Sequence, residues 1–110
     1  MGDQAVLAAL LIDRERRHDT IVLTLQGELD LASCRLLEHE IRMAESEGDQ
    51  RLLVDLSGLE FMDSNGLHIL ISAQQRAVQN GQRLALLRGP RPVHRLFEIT
   101  DTAALFQFAD

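Results

Sequence analysis

The chain has 110 residues, which is enough for one domain spanning 1–110 and too few for two. Its 45% apolar and 25% charged residues suit a protein with a buried core, and a single cysteine, Cys34, excludes an internal disulfide and argues for a reducing compartment. A formal charge of −6 argues against nucleic acid, whose phosphates need a cationic footprint.

Near the N-terminus the apolar run Ala5 to Ile12 follows Asp3 rather than a basic segment and is far too short to span a membrane. Met1-Gly2 opens like a myristoylation signal, but Val6 stands where that signal needs serine or threonine. A cytoplasmic protein with no membrane insertion is therefore expected. The run itself reads as a buried strand or a short helix, which periodicity cannot separate at this length. Asp13 to Thr20 is polar and reads as a hairpin turn with its flanks. Ile21 to Gln26 alternates and is β-branched, so it is predicted to be a strand closed by Gly27.

Asp30 is placed to cap a helix from Leu31 to about Glu47, in which Leu37, Ile41 and Ala44 share one face and Gly48-Asp49 ends the turn. Leu52 to Leu56 is almost wholly apolar, as in a strand covered on both faces, and Ser57-Gly58 reads as the turn that ends it. Leu59 and Phe61-Met62 read as apolar anchors. Asp63-Ser64-Asn65-Gly66 carries the residue types that satisfy the free N–H groups of a helix's first turn. The helix it opens has an apolar stripe of Leu67, Leu70, Ile71, Gln74, Ala77 and Val78, and it stops at Asn80-Gly81.

Leu84 to Leu87 reads as another buried strand, and Pro92 opens a short helix striped by Val93, Leu96 and Phe97. Ala104 to Phe108 reads as a last edge strand. The predicted order is β-β-α-β-α-β-α-β: a mixed α/β fold with a sheet of about five strands covered by helices.

Ser64 is the residue of most chemical interest. A helix N-terminus carries about half a positive elementary charge and tolerates an anion, so a phosphate on Ser64 could be held there. By spacing alone, Ser64 and Asp63 are better explained as helix caps. The four histidines lack metal-ligand spacing, no Gly-x-Ser-x-Gly elbow surrounds Ser64, and there is no glycine-rich phosphate loop, so no catalytic residue, metal or cofactor is expected. His68 reads as a solvated helix residue that could touch a partner. Arg88, Arg91 and Arg95 read as a solvated face, with a phosphate or an acidic partner as the other reading. All eleven basic residues are arginine, which reflects GC-rich coding.

The segment Val54 to Leu70, VDLSGLEFMDSNGLHIL, resembles the signature of STAS domains, and most closely that of the free-standing bacterial anti-sigma factor antagonists. The step Gly27-Glu28-Leu29-Asp30 and the segments Pro92 to Phe97 and Ile99-Thr100 are similar to the same family. The resemblance implies a binding protein rather than an enzyme. Its unphosphorylated form would bind an anti-sigma factor, itself a serine kinase of histidine-kinase-like fold, and so release a sigma factor. Phosphorylation of Ser64 would break that complex, and a serine phosphatase would reset it. Asp63, Ser64, Asn65, Glu28, Asp30 and His68 are the implied partner surface, on a monomer or weak homodimer. Asn65 stands where the family carries a second hydroxyl, which keeps open another reading: a STAS adaptor subunit of a transporter or stress-signalling complex, with no phosphate cycle.

Overall fold

The computed structural model describes residues 3–48 and 51–109; the readings placed on Met1-Gly2 and on Asp49 lie outside them. Six strands, β1 (Asp3–Leu7), β2 (Leu10–Arg17), β3 (Thr20–Leu29), β4 (Arg51–Met62), β5 (Leu84–Leu87) and β6 (Gln107–Phe108), form one sheet in the order β1-β2-β3-β4-β5-β6. The first three are antiparallel, and β3 to β6 are parallel. Helices α1 (Cys34–Glu45), α2 (Ser64–Gln79) and α3 (Arg91–Ile99) make the three crossovers. Each crossover moves one strand further in the same direction. Right-handed connections therefore lay all three helices on one face.

The mixed α/β class and the element order from Ile21 onward are as predicted, with one strand more. The apolar run Ala5 to Ile12 is neither one strand nor a helix: Ala8, at φ 53°, turns the chain and splits it into β1 and β2. The tight turn of the second hairpin lies at His18-Asp19, so Asp13 to Arg17 belongs to a strand. Polar side chains suit β2 because alternate residues face solvent.

Ser57-Gly58 does not end a strand. β4 runs through it for 12 residues, and the pairing with β3 slips between Thr24 and Gln26 and again between Gly27 and Glu28. These are β-bulges, in which β4 carries an extra residue each time. Gly58 is required at the first, since a Cβ there would lie 2.6 Å from the Leu25 carbonyl oxygen.

β4 is also covered on one face only. Leu23, Val54 and Leu86 are adjacent in register and have no exposed surface, whereas Leu53 and Asp55 between them are half-buried. The core lies between the first row and the helices. Cys34, Leu37, Ile41 and Ala44 are the buried stripe of α1; Gly66, Leu67, Leu70, Ala73 and Ala77 are that of α2. Val78, expected in the stripe, is exposed, and Gln74 is half-buried. The actual stripe uses the small residues Ala73 and Ala77 where α2 approaches α1. Arg76 there donates to both Glu45 carboxylate oxygens, at 3.0 and 3.1 Å.

α2 stops as predicted. Gly81, at φ 67°, donates to the Val78 carbonyl and Gln82 to that of Ala77, the paired bonds of a Schellman motif. α3 buries Val93 and Phe97, with His94 beside them. Phe97 meets Phe106 and Phe108 edge-on, with ring centroids 5.4 and 5.5 Å apart. The last predicted strand shrinks to Gln107–Phe108, preceded by a 3-10 turn at Ala103–Leu105.

Candidate functional site

At the end of the sheet where β3 and β4 finish, Leu29 lies beside Met62, and the Asp63 N–H donates to the Leu29 carbonyl at 3.1 Å. That bond sets where α2 begins. Asp63 is its N-cap in extended conformation, and Oδ1 accepts from the N–H groups of Asn65 (2.9 Å) and Gly66 (3.3 Å). The Asn65 side-chain amide donates to the other carboxylate oxygen at 3.3 Å. Asn65 thus stiffens the cap from a position that carries no hydroxyl.

Ser64 is the first residue of α2. It is exposed, and its hydroxyl takes no part in this cap. The Asp63 carboxylate already fills the anion position at the helix end. A phosphate added to Ser64 would therefore not settle on free N–H groups. It would stand beside an existing negative charge, so the tip would become strongly anionic unless the cap rearranged.

Gly66 is a packing requirement: a Cβ would lie 2.5 Å from Leu29 Cγ and 3.2 Å from Met62 Cγ. The close approach comes from side chains rather than from another backbone. His68 lies four residues beyond Ser64, one turn along the same helix face, and is exposed.

Glu28 and Asp30 reach the same end of the sheet. Glu28 is exposed and in register with Phe61. Asp30 does not cap α1 directly, because the helix starts at Cys34. Its carboxylate accepts from the N–H groups of Ala32 and Ser33, while the Asp30 N–H donates to Ser33 Oγ at 3.0 Å. This reciprocal turn fixes the entry to α1. Ser33 also donates to the Glu28 carbonyl at 2.9 Å, which ties the turn to β3. All six predicted surface residues, Glu28, Asp30, Asp63, Ser64, Asn65 and His68, are thus gathered on one end of the molecule.

Two apolar residues there escape a sequence-only reading. Phe61 is 50% exposed and Leu31 70% exposed. Phe61 was expected to anchor the core. The second bulge, between Gly27 and Glu28, breaks the two-residue alternation between Leu59 and Met62 and turns Phe61 outward. With Glu60 also exposed, this end of the molecule presents Phe61 and Leu31 as separate exposed apolar residues among the carboxylates of Glu28, Asp30, Glu60 and Asp63.

The arginine triplet is not part of this surface. Arg88 lies 3.0 Å from His94 Nε2 and its guanidinium is 5.2 Å from the Phe108 ring centroid, so it joins the aromatic cluster beneath α3. Arg91 and Arg95 are exposed. Among the described residues there is no cluster of three His, Cys, Asp or Glu suited to a metal, and no helix is long and apolar enough to cross a membrane.

Residues 12–107 match the family described as Mlab, STAS domain. The anti-sigma F factor antagonist of Paenibacillus polymyxa is 30% identical over 96 residues, which cover 83% of this chain and 79% of that protein. The anti-sigma-F factor antagonist RsfB of Mycobacterium tuberculosis is 34% identical over 88 residues, 77% of this chain and 71% of the relative. Among solved structures, the anti-sigma factor antagonist SpoIIAA in its unphosphorylated form superposes with a TM-score of 0.75 at 23% identity, over 90% of this chain and 88% of that one. SpoIIAA of Bacillus in the phosphorylated form superposes at 0.69 and 22% identity, over 90% and 91%.

Proposed function

The chain belongs to the STAS domain family of anti-sigma factor antagonists, and from that premise we propose that it is itself such an antagonist, switched by phosphate on Ser64. In its unphosphorylated form the tip around Ser64 docks on an anti-sigma factor, which then gives up its sigma factor. The anti-sigma factor is a serine kinase of histidine-kinase-like fold, and it brings the ATP and the catalytic groups. This chain supplies only the acceptor hydroxyl. A serine phosphatase restores the starting state.

The observation that carries this reading is the position of Ser64: exposed, first in its helix, and outside the hydrogen bonds by which Asp63 caps that helix. A kinase can reach the hydroxyl without disturbing the fold. Phe61 and Leu31 supply the apolar footing a partner would bury, and the acidic rim steers it toward a basic counter-surface. Phosphate adds about −1.5 to −2 charges beside Asp63. Each 1.4 kcal/mol that this repulsion costs the complex is a tenfold loss of affinity, so a few kcal/mol would dissociate a micromolar pair.

The test is incubation with the cognate anti-sigma kinase and ATP, read by mass spectrometry, alongside binding titrations. One phosphate on Ser64 is expected, none on Ser64→Ala. Ser64→Asp should bind the kinase at least about tenfold more weakly, and Phe61→Ala should weaken binding without changing the fold. If Ser64 takes no phosphate and Ser64→Asp binds as tightly as the parent, the chain is a fixed STAS adaptor instead.

A further inference from the structure

The sheet face opposite the helices has an ordered pattern of side chains. On β4 it presents Arg51, Leu53 and Asp55, and on the neighbouring β3 Thr20, Val22 and Thr24. On β2 the same rows hold Arg17, Glu15 and Asp13, and on β5 Leu53 and Asp55 are followed by Ala85 and Leu87. Read across the strands, a row beginning Arg17, Thr20, Arg51 lies on one side of a row containing Val22, Leu53 and Ala85. A row containing Asp13, Thr24 and Asp55 lies on the other side. Arg83 extends the first row, since Leu52 donates to its carbonyl at 2.9 Å. Arg51, Leu53, Arg83 and Ala85 also line one shallow hollow of about 230 Å³.

A basic edge, a middle row whose accessible apolar surface is that of Leu53 and Ala85 (Val22 is only 7% exposed), and an acidic edge make a surface complementary to itself under one operation. A two-fold axis running across the strands along the Val22–Leu53–Ala85 row turns the second sheet over and exchanges the outer rows. Arg51 of one copy then faces Asp55 of the other, and Asp55 faces Arg51. Arg17 and Asp13 exchange in the same way, Thr20 meets Thr24, and Leu53 meets Leu53. A two-fold axis along the strands would instead set arginine over arginine.

We propose that this open face binds a second copy of the chain, sheet against sheet, about that axis. Such an interface is isologous, as two-fold dimers require. The groups already facing these charges are compatible with it. Among the described residues, the Arg51 side chain makes a 3.8 Å contact with Asp19, whose side chain is 70% exposed, and such surface pairs exchange readily. Glu15 meets its own counterpart on the axis, with the hydrogen-bonded Arg17 beside each carboxylate as counter-ion. Four strands at about 4.8 Å spacing and five residues at about 3.3 Å rise give a patch of about 320 Å² per copy. That is well below the standard size of about 800 Å² per partner, so the dimer is weak and forms only at high concentration. Because the axis reverses the strand direction, the two Ser64 tips lie at opposite ends of the dimer and both stay open.

Sedimentation of the full chain across about 10 µM to 1 mM at low salt tests this. The parent should pass from monomer to dimer, and Leu53→Arg should stay monomeric throughout. Arg51→Asp alone should weaken association at least about tenfold, and Arg51→Asp with Asp55→Arg should recover it to within about threefold, because the exchange restores the pairing. Asp55 also accepts from the Ser57 N–H at 2.9 Å, so Asp13→Arg with Arg17→Asp is a second exchange that leaves the bulge alone. A parent monomeric at the highest concentration, a dimer that survives Leu53→Arg, or paired exchanges that both fail to recover association would each overturn the proposal.

Discussion

Asp63 and Ser64 are neighbours with separate tasks. The Asp63 carboxylate holds the first turn of α2, and that leaves the Ser64 hydroxyl available. Replacing Asp63 with alanine should therefore cost about 1 kcal/mol, seen as a lower denaturation midpoint with an unchanged slope. In the same experiment Ser64→Ala should change stability by less than about 0.5 kcal/mol, because an exposed hydroxyl with no cap bond contributes little. A large loss for Ser64→Ala would mean that the serine is a structural cap after all. The residue types of the cap were legible in the sequence. Which of Asp63 and Ser64 does the capping was not, since it depends on the extended backbone at Asp63.

At the scale of elements, the site depends on how far β4 outruns β5. β4 continues past Leu56 through two bulges, paired only with β3, and so carries Asp63 beyond the rest of the sheet. β3 in turn is secured by the first hairpin: the Glu28 N–H donates to the Ala9 carbonyl at 2.9 Å. Gly27 makes this possible, at φ 103° and with the Ala9 oxygen 2.0 Å from where a Cβ would stand. Gly27→Ala should cost about 3 kcal/mol, because backbone strain and a clash with a carbonyl add. Gly81→Ala, at φ 67° with nothing within 4 Å, suffers strain alone and should cost about 1 kcal/mol. Thermal unfolding of the pair checks the order. Equal losses would show that the close approach of Gly27 to the Ala8-Ala9 turn is not what holds β3.

For the whole molecule, the layers assign separate surfaces to separate tasks. The helices bury one side of the sheet, the strand ends carry the Ser64 tip, and the bare side carries the self-complementary rows. These surfaces do not overlap, so Leu53→Arg should lose self-association yet still accept phosphate on Ser64 at the parent's rate, measured by the same kinase assay. A linked loss of both would show that the dimer, rather than the tip, is what the kinase recognises.

Local pattern alone was enough to identify α1, α2 and α3, the strands at Ile21, Leu52 and Leu84, and the junction at Ser64, because helix periodicity and capping chemistry are written over a few adjacent residues. The splitting of Ala5 to Ile12 into two strands was not legible: an alanine at positive φ gives no compositional signal, and the turn is held by the pairing of β1 with β2 and by the bond from the Glu28 N–H, distant in sequence, to the Ala9 carbonyl. Nor was the exposure of Phe61, since a bulge is a slip between two strands distant in sequence. The rows on the bare face were hidden for the same reason. Arg51, Leu53 and Asp55 are simply alternating residues until register sets Val22 and Ala85 beside Leu53, and only tertiary pairing fixes register.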